Sequence, residues 1–217
     1  MNSAYLQPLF AAAAQELKRH RDELCRIDAE TGDGDHGFAI AQIADVILSE
    51  SLKPGRETIH IYFDDLCLAL LRLNCGSAGN LWGVMMEGIG EALVSGSTVE
   101  IIRQMLRGAL NGVAEISPAK PGEKTLVDPL SAALTAAETR GDDAADCLLA
   151  VSRAASDAAG ATAQMPARYG RAKNLPDKGV GHRDPGAVSL AIMIDALCRA
   201  ELERLQSWKS SSTIPPH

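Results

Sequence analysis

Asp28-Ala29-Glu30-Thr31-Gly32-Asp33-Gly34-Asp35-His36-Gly37 packs three aspartates and three glycines into ten residues. Like charges that close repel unless a cation lies between them, and hard divalent ions with phosphate oxygens are the usual remedy. The glycines let the backbone turn tightly between the carboxylates. Asp and Gly are also ordinary turn formers, and Asp35 in front of a helical stretch can act as an N-cap, so the run fits either a metal loop or a simple turn. A calcium EF-hand is excluded: with Asp33 as the first position the twelfth is Ala44, where that loop requires a bidentate glutamate. His36 can serve as ligand, base or capping side chain.

Both flanks of this run are helical. Leu6, Phe10, Ala13, Leu17, Leu24 and Ile27 recur at helical spacing with charged residues between them, which predicts one amphipathic helix ending at Thr31-Gly32. Further helices are expected over about 37–51, 58–73 (after a break at Pro54-Gly55), 80–94, 98–116, 125–139 and 142–159. Ser97-Thr98-Val99-Glu100 forms a capping box, and Asp184-Pro185 an N-cap with an N1 proline for a last helix to about Leu205. No segment alternates like a strand. The pattern predicts an all-α chain of about eight helices, one domain over residues 1–207, and a flexible tail over 208–217.

Composition supports the same class. With 46% hydrophobic residues but only two Trp, three Tyr and three Phe, the core must be built from aliphatic side chains, which suits close helix packing. A net charge of −7 argues against a nucleic-acid partner or an anionic membrane surface. No apolar run is long enough for a membrane span, and no secretory signal pattern opens the chain. Cys25, Cys67, Cys75, Cys147 and Cys198 are odd in number and never spaced C-x-x-C, so they read as buried thiols of a cytoplasmic protein.

Two more clusters carry chemistry. Cys75-Gly76-Ser77-Ala78-Gly79-Asn80 leads small residues into a helix, an arrangement that aims free N–H groups at a phosphate or else serves helix packing. Gly122-Glu123-Lys124-Thr125 has a P-loop ending, but Ser117 stands where the first glycine should be, which sets the P-loop class aside. Arg168, Arg171, Lys173, Lys178, His182 and Arg183 form a basic stretch in an acidic chain, either a counter-ion for polyphosphate or a solvated loop.

The order of these pieces, D-x4-D-x-D-H-G, the small turn before Leu81-Trp82-Gly83, G-E-K-T-x-x-D, G-R-A and G-H-x-D-P-G-A, resembles the nucleotide-binding L subunit of dihydroxyacetone kinases over roughly residues 5–200. The resemblance implies an antiparallel barrel of eight helices with a nucleotide site at one mouth. It implies that Asp28, Asp33 and Asp35 coordinate two Mg2+ ions bridging the phosphates of ADP or ATP. It also implies that His36 lies near the phosphates and that Gly76, Ser77, Ala78 and Gly79 approach them through backbone amides. Thr125 and Leu126 are then expected near the base, Arg171 towards phosphate, and Asp184 and Gly186 beside the nucleotide. Ala78 replaces a hydroxyl residue common in that family, and Lys173 a serine.

The activity so implied is phosphoryl transfer to dihydroxyacetone or a related short keto-sugar held on a separate ketone-binding kinase subunit. The donor is exchanging ATP, or fixed ADP recharged by a phosphohistidine carrier of the phosphotransferase system, a mode the short freestanding chain favours. The alternative is a regulatory protein that binds nucleotide without turnover.

Overall fold

The computed structural model describes residues 3–54 and 58–211, and its regular structure is helical throughout. Nine α-helices are present among the described residues: α1 Gln7–Arg19, α2 Arg21–Ala29, α3 His36–Leu52, α4 Ile59–Leu71, α5 Gly76–Ala92, α6 Thr98–Ile116, α7 Val127–Thr139, α8 Ala144–Ala161 and α9 Pro185–Ser211. The expected single first helix is in fact two. Its apolar spacing lapses between Leu17 and Leu24, and at His20 (φ −90°, ψ 6°) the chain leaves helical geometry.

Packing contacts close a ring in the order α1, α3, α4, α5, α6, α7, α8, α9 and back to α1, while α2 lies against α3 and α9. Eight helices form the barrel, as expected, and the ninth is the half of the first segment that His20 sets aside. Short connections between packed neighbours make successive helices from α3 to α8 alternate in direction, so α3, α5 and α7 begin at one end, and α9, reached by a longer connection, begins at that end too. At the opposite end the buried carboxylate of Glu201 accepts hydrogen bonds from Tyr5 Oη (2.7 Å) and from Arg204 (2.7 and 2.8 Å). That network ties the chain's start to the far turns of α9.

The core is mostly aliphatic; besides buried Trp82 its aromatic residues are Phe10, Tyr62 and Phe63, which meet edge to face with centroids 5.0–6.0 Å apart. Elsewhere closeness comes from small residues. The backbones of α5 and α6 touch at Gly88 and Gly108, where a Cβ on Gly108 would meet the Gly88 carbonyl oxygen at less than contact distance. The capping box at Ser97 forms as expected, with Glu100 N donating to Ser97 Oγ and Ser97 N to Glu100 Oε2.

Several boundaries shift. Helix α5 starts at Gly76, four residues before the expected Asn80, so the small-residue run is its first turn and not a linker. Helix α9 continues to Ser211, beyond the expected Leu205 and into the expected tail; residues 212–217 and Gly55 of the expected Pro54-Gly55 break lie outside the described residues. The stretch 160–183, which from its Gly, Pro and basic residues reads as the longest irregular segment, holds two short 3-10 turns, Thr162–Gln164 and Ala172–Asn174, and α8 runs into it as far as Ala161. All five cysteines are free; Cys67, Cys147 and Cys198 are buried as expected, but Cys25 and Cys75 are partly exposed. Among the described residues no helix is long and apolar enough to cross a membrane.

Candidate metal centre and anion pocket

The end of the barrel where α3, α5, α7 and α9 begin holds a cavity of about 710 Å3. Its wall takes in Asp35 and His36 at the start of α3, Gly76, Ser77 and Ala78 at the start of α5, Thr125 and Leu126 before α7, and Asp184 and Gly186 at the start of α9. Helix starts carry N–H groups that the helix itself does not pair and about half a positive elementary charge each. Four of them around one cavity make a polar lining that favours a multiply charged anion.

The three aspartates meet at the rim of this cavity. One carboxylate oxygen from each of Asp28, Asp33 and Asp35 lies within 4.8 Å of the other two, the spacing a hard cation needs to gather them. Asp28 is buried and does two jobs: its Oδ2 accepts hydrogen bonds from the backbone N–H of Asp35 (3.0 Å) and His36 (3.3 Å). It thereby caps α3, whereas the Asp35 side chain, a candidate N-cap in the simple-turn alternative, makes no cap hydrogen bond. A Cβ at residue 32 would collide with the Asp28 carboxylate, and Gly34 turns at φ +77°, so the glycines between the aspartates are what lets the three approach.

Arg171 supplies the local counter-charge. Its Nη1 contacts Asp33 Oδ1 directly and lies 3.6 Å from Asp35 Oδ1. Three others of the basic stretch are engaged elsewhere: Arg168 with Glu123 (3.5 Å), His182 with Glu30 (2.9 Å) and Arg183 with Glu23 (3.7 Å). Of that stretch only Arg171 lines the cavity.

His36 braces two helix starts. Its Nε2 is 3.1 Å from Ser189 Oγ, and that hydroxyl donates to Gly186 O at 3.0 Å. Burial holds the imidazole pKa below its ordinary value against the pull of Asp28 and Asp35. Asp184 caps α9 through Ala187 N (2.7 Å), and burial raises its pKa to about 6 although that hydrogen bond and Lys124 oppose the shift.

Not every expected residue faces the cavity. Gly79 is buried against α4, where an added Cβ would sit 3.2 Å from Leu70 O; its small size serves helix packing. Ser77 and Ala78 do line the wall, so with no hydroxyl at position 78 the turn offers its backbone N–H groups and the Ser77 hydroxyl one place earlier. Three contributors have no role assigned by the sequence. Asp128 organises the 122–125 loop by accepting from Gly122 N (2.5 Å) and Thr125 N (2.7 Å), a role its place in G-E-K-T-x-x-D could have signalled. Tyr169 and Phe38 stand on the cavity wall with nothing local in the sequence to mark them.

These residues suit magnesium and a nucleotide in kind: oxygen ligands only, anion-facing helix starts, and a cationic side chain at the rim. Comparison with known proteins agrees. The chain is 33% identical over 182 residues to L-erythrulose kinase of Pectobacterium atrosepticum, covering 81% of this chain but 31% of that protein. It is 30% identical over 185 residues to the ADP-binding subunit DhaL of the PEP-dependent dihydroxyacetone kinase of Escherichia coli K12, covering 83% of this chain and 88% of that subunit. It thus spans about a third of the first relative's length and most of the second's. Among solved structures, dihydroxyacetone kinase from C. freundii in complex with AMP-PNP and Mg2+ superposes with a TM-score of 0.72 over 92% of this chain and 34% of that one, at 24% identity. The profile of the DAK2 domain matches residues 30–199, and the chain belongs to the DAK2 domain family.

Proposed function

We propose that this chain is the nucleotide-binding phosphotransferase subunit of a dihydroxyacetone kinase, or of a kinase for a related short keto-sugar. The observation that carries the reading is the convergence of four helix starts and three aspartates on one cavity. The E. coli relative of similar length is an ADP-binding subunit, which supports a separate ketone-binding partner here.

In this reading Asp28, Asp33 and Asp35 hold two Mg2+ ions, and ADP or ATP lies across the cavity. When bound, Mg2+ neutralises phosphate charge and polarises the phosphoryl group. The N–H groups of Gly76, Ser77 and Ala78 donate to phosphate oxygens, and the loop of Thr125 and Leu126 borders the nucleoside. Asp184 and Gly186 keep the start of α9 open towards the phosphates, and His36 holds α3 and α9 in register. Arg171 places its guanidinium where charge accumulates on the transferring group. No covalent nucleophile of this chain is required, because the acceptor hydroxyl belongs to the substrate on the partner. Recharging of resident ADP by a phosphohistidine carrier, and a cytoplasmic setting, fit the same reading.

Native mass spectrometry of the purified chain, with nucleotide analysis after EDTA treatment, tests it. Co-purified ADP with two magnesium ions, and transfer to dihydroxyacetone once a ketone-binding subunit is added, are expected. A chain that cannot be loaded with Mg·ADP or Mg·ATP overturns the reading; tight binding with no transfer to any partner assigns a regulatory role.

A further inference from the structure

Lys124 is one of the largest fully buried side chains, 2% exposed, and its backbone adopts φ +62°, a conformation uncommon for a residue with a side chain. Its Nζ donates to two main-chain carbonyls, Thr162 O (2.6 Å) and His182 O. Those carbonyls are the two ends of one excursion, the strap that leaves α8 and returns to α9.

The strap has paired legs: Gly181 N donates to Ala163 O (2.7 Å) and Ala167 N to Lys178 O (2.9 Å). Arg171 lies near its middle. Buried Thr162 fixes the base from below, donating through Oγ1 to Ala159 O (2.6 Å) and accepting from Asp184 N (2.9 Å). The lysine stem passes beneath Gly179, where an added Cβ would be 3.5 Å from its Cε. Burial lowers the pKa of this ammonium, and the cost is offset in part because the two carbonyls accept its hydrogen bonds while Asp184, Asp128 and Asp177 lie close enough to favour the charge.

We infer that Lys124 is a positioning residue: it staples the two ends of the strap and so fixes Arg171 over the Asp33 and Asp35 carboxylates. The inference rests on the proposed function for what Arg171 does, but not for how the strap is held. Lys124 is the side chain that joins both ends of the strap, which is tied further along by Arg168 N to Glu123 O (3.3 Å) on the loop that carries Lys124. When the Lys124 tie is lost the middle is held less firmly, so a change at Lys124 is expressed at Arg171. The helices, whose cores do not include the strap, keep their packing.

The test uses the full chain as wild type, Lys124→Met, Arg171→Ala and the double variant. Two quantities are read: the rate of tryptic cleavage within the strap at Arg168, Arg171, Lys173 and Lys178, and the Kd for ADP in magnesium buffer, with circular dichroism reporting helix content. Lys124→Met is expected to keep its helices, to be cleaved in the strap roughly tenfold faster as local opening becomes easier, and to weaken ADP binding. The double variant is expected to bind no more weakly than Arg171→Ala alone, the non-additivity of residues acting as one unit. Unchanged strap cleavage, or losses that multiply in the double variant, overturns the staple and makes Lys124 an independent contact. If Lys124→Met does not fold, Lys124→Gln, which keeps a donor without the charge, decides by the same two readouts. A wild type that binds no Mg·ADP defeats the proposed function, and strap cleavage alone then decides the staple.

Discussion

Arg171 on the strap after α8 pairs with Asp33 on the loop before α3, across 138 positions of sequence. Both side chains are about half exposed, so the pair is worth only up to about 1 kcal/mol and holds neither partner firmly. It contributes little to the fold. Its consequence is electrostatic: three carboxylates within 4.8 Å are tolerated because a guanidinium stands over them, and an incoming cation competes for the same oxygens.

The aspartates are therefore separable by what else they do. Asp33→Ala is expected to abolish magnesium-dependent ADP binding while leaving Tm within a few degrees of wild type, because its carboxylate serves the ligand. Asp28→Ala is expected to lose binding and also about 1 kcal/mol of stability, because Asp28 Oδ2 caps α3. Isothermal titration and thermal melts of the two variants check this; equal melting losses would mean that the cap is of no consequence.

Asp184 gives the fold a pH dependence of unusual sign for a carboxylate. Burial raises its folded pKa to about 6, above its ordinary value near 3.8, so the folded state binds the proton more tightly than the unfolded one. Its contribution to stability is then fully present below about 4, is lost as pH rises through about 6, and is flat above. Asp184→Asn keeps the α9 cap and removes the titration. The difference in unfolding free energy between variant and wild type is expected to grow in the variant's favour from pH 4 to pH 6.5; a difference that does not change over that range would mean the carboxyl is not desolvated.

Much of this was legible in the sequence because it is local. Apolar periodicity and caps give most helices within a few residues, and the capping box at Ser97 is visible as four letters. The aspartate run is visible because Asp28, Asp33 and Asp35 lie within seven positions of one another. What was hidden depends on distant partners. The break at His20 needs the knowledge that α2 must leave the ring to bring Asp28 under α3. The fate of the basic stretch depends on acids such as Glu30 and Glu23, which only the fold brings near, and Lys124 reads as a loop lysine until Thr162 and His182 meet over it.

Gly108 and Gly88 set how close α5 and α6 come. A methyl group on Gly108 would be driven into the Gly88 carbonyl oxygen and to 2.7 Å from Ala92 Cβ, and backbone cannot yield as a flexible side chain would. Gly108→Ala is expected to cost about 1–3 kcal/mol in denaturant unfolding. The substitution lies in the α5–α6 seam and leaves every carboxylate in place, so magnesium-dependent ADP affinity in the folded variant is expected to match wild type. A stable variant would show that the two helices can part without loss.

Ligand linkage gives the last prediction. A compound that binds only the folded chain raises its stability by about 2.7 kcal/mol at a hundred times its Kd. With three carboxylates at the rim, free ADP meets repulsion and free Mg2+ meets Arg171, so neither alone is expected to raise Tm appreciably. Together each removes the other's obstacle: the metal neutralises the carboxylates, and the phosphates give the guanidinium a new partner. Scanning calorimetry with ADP alone, Mg2+ alone, both, and both with EDTA should therefore show a large upward shift in the third sample only, and that sample should also resist trypsin at the strap. An equal shift with ADP and EDTA would mean that the nucleotide is held by helix starts without the aspartates, and the metal assignment of Asp28, Asp33 and Asp35 would fall.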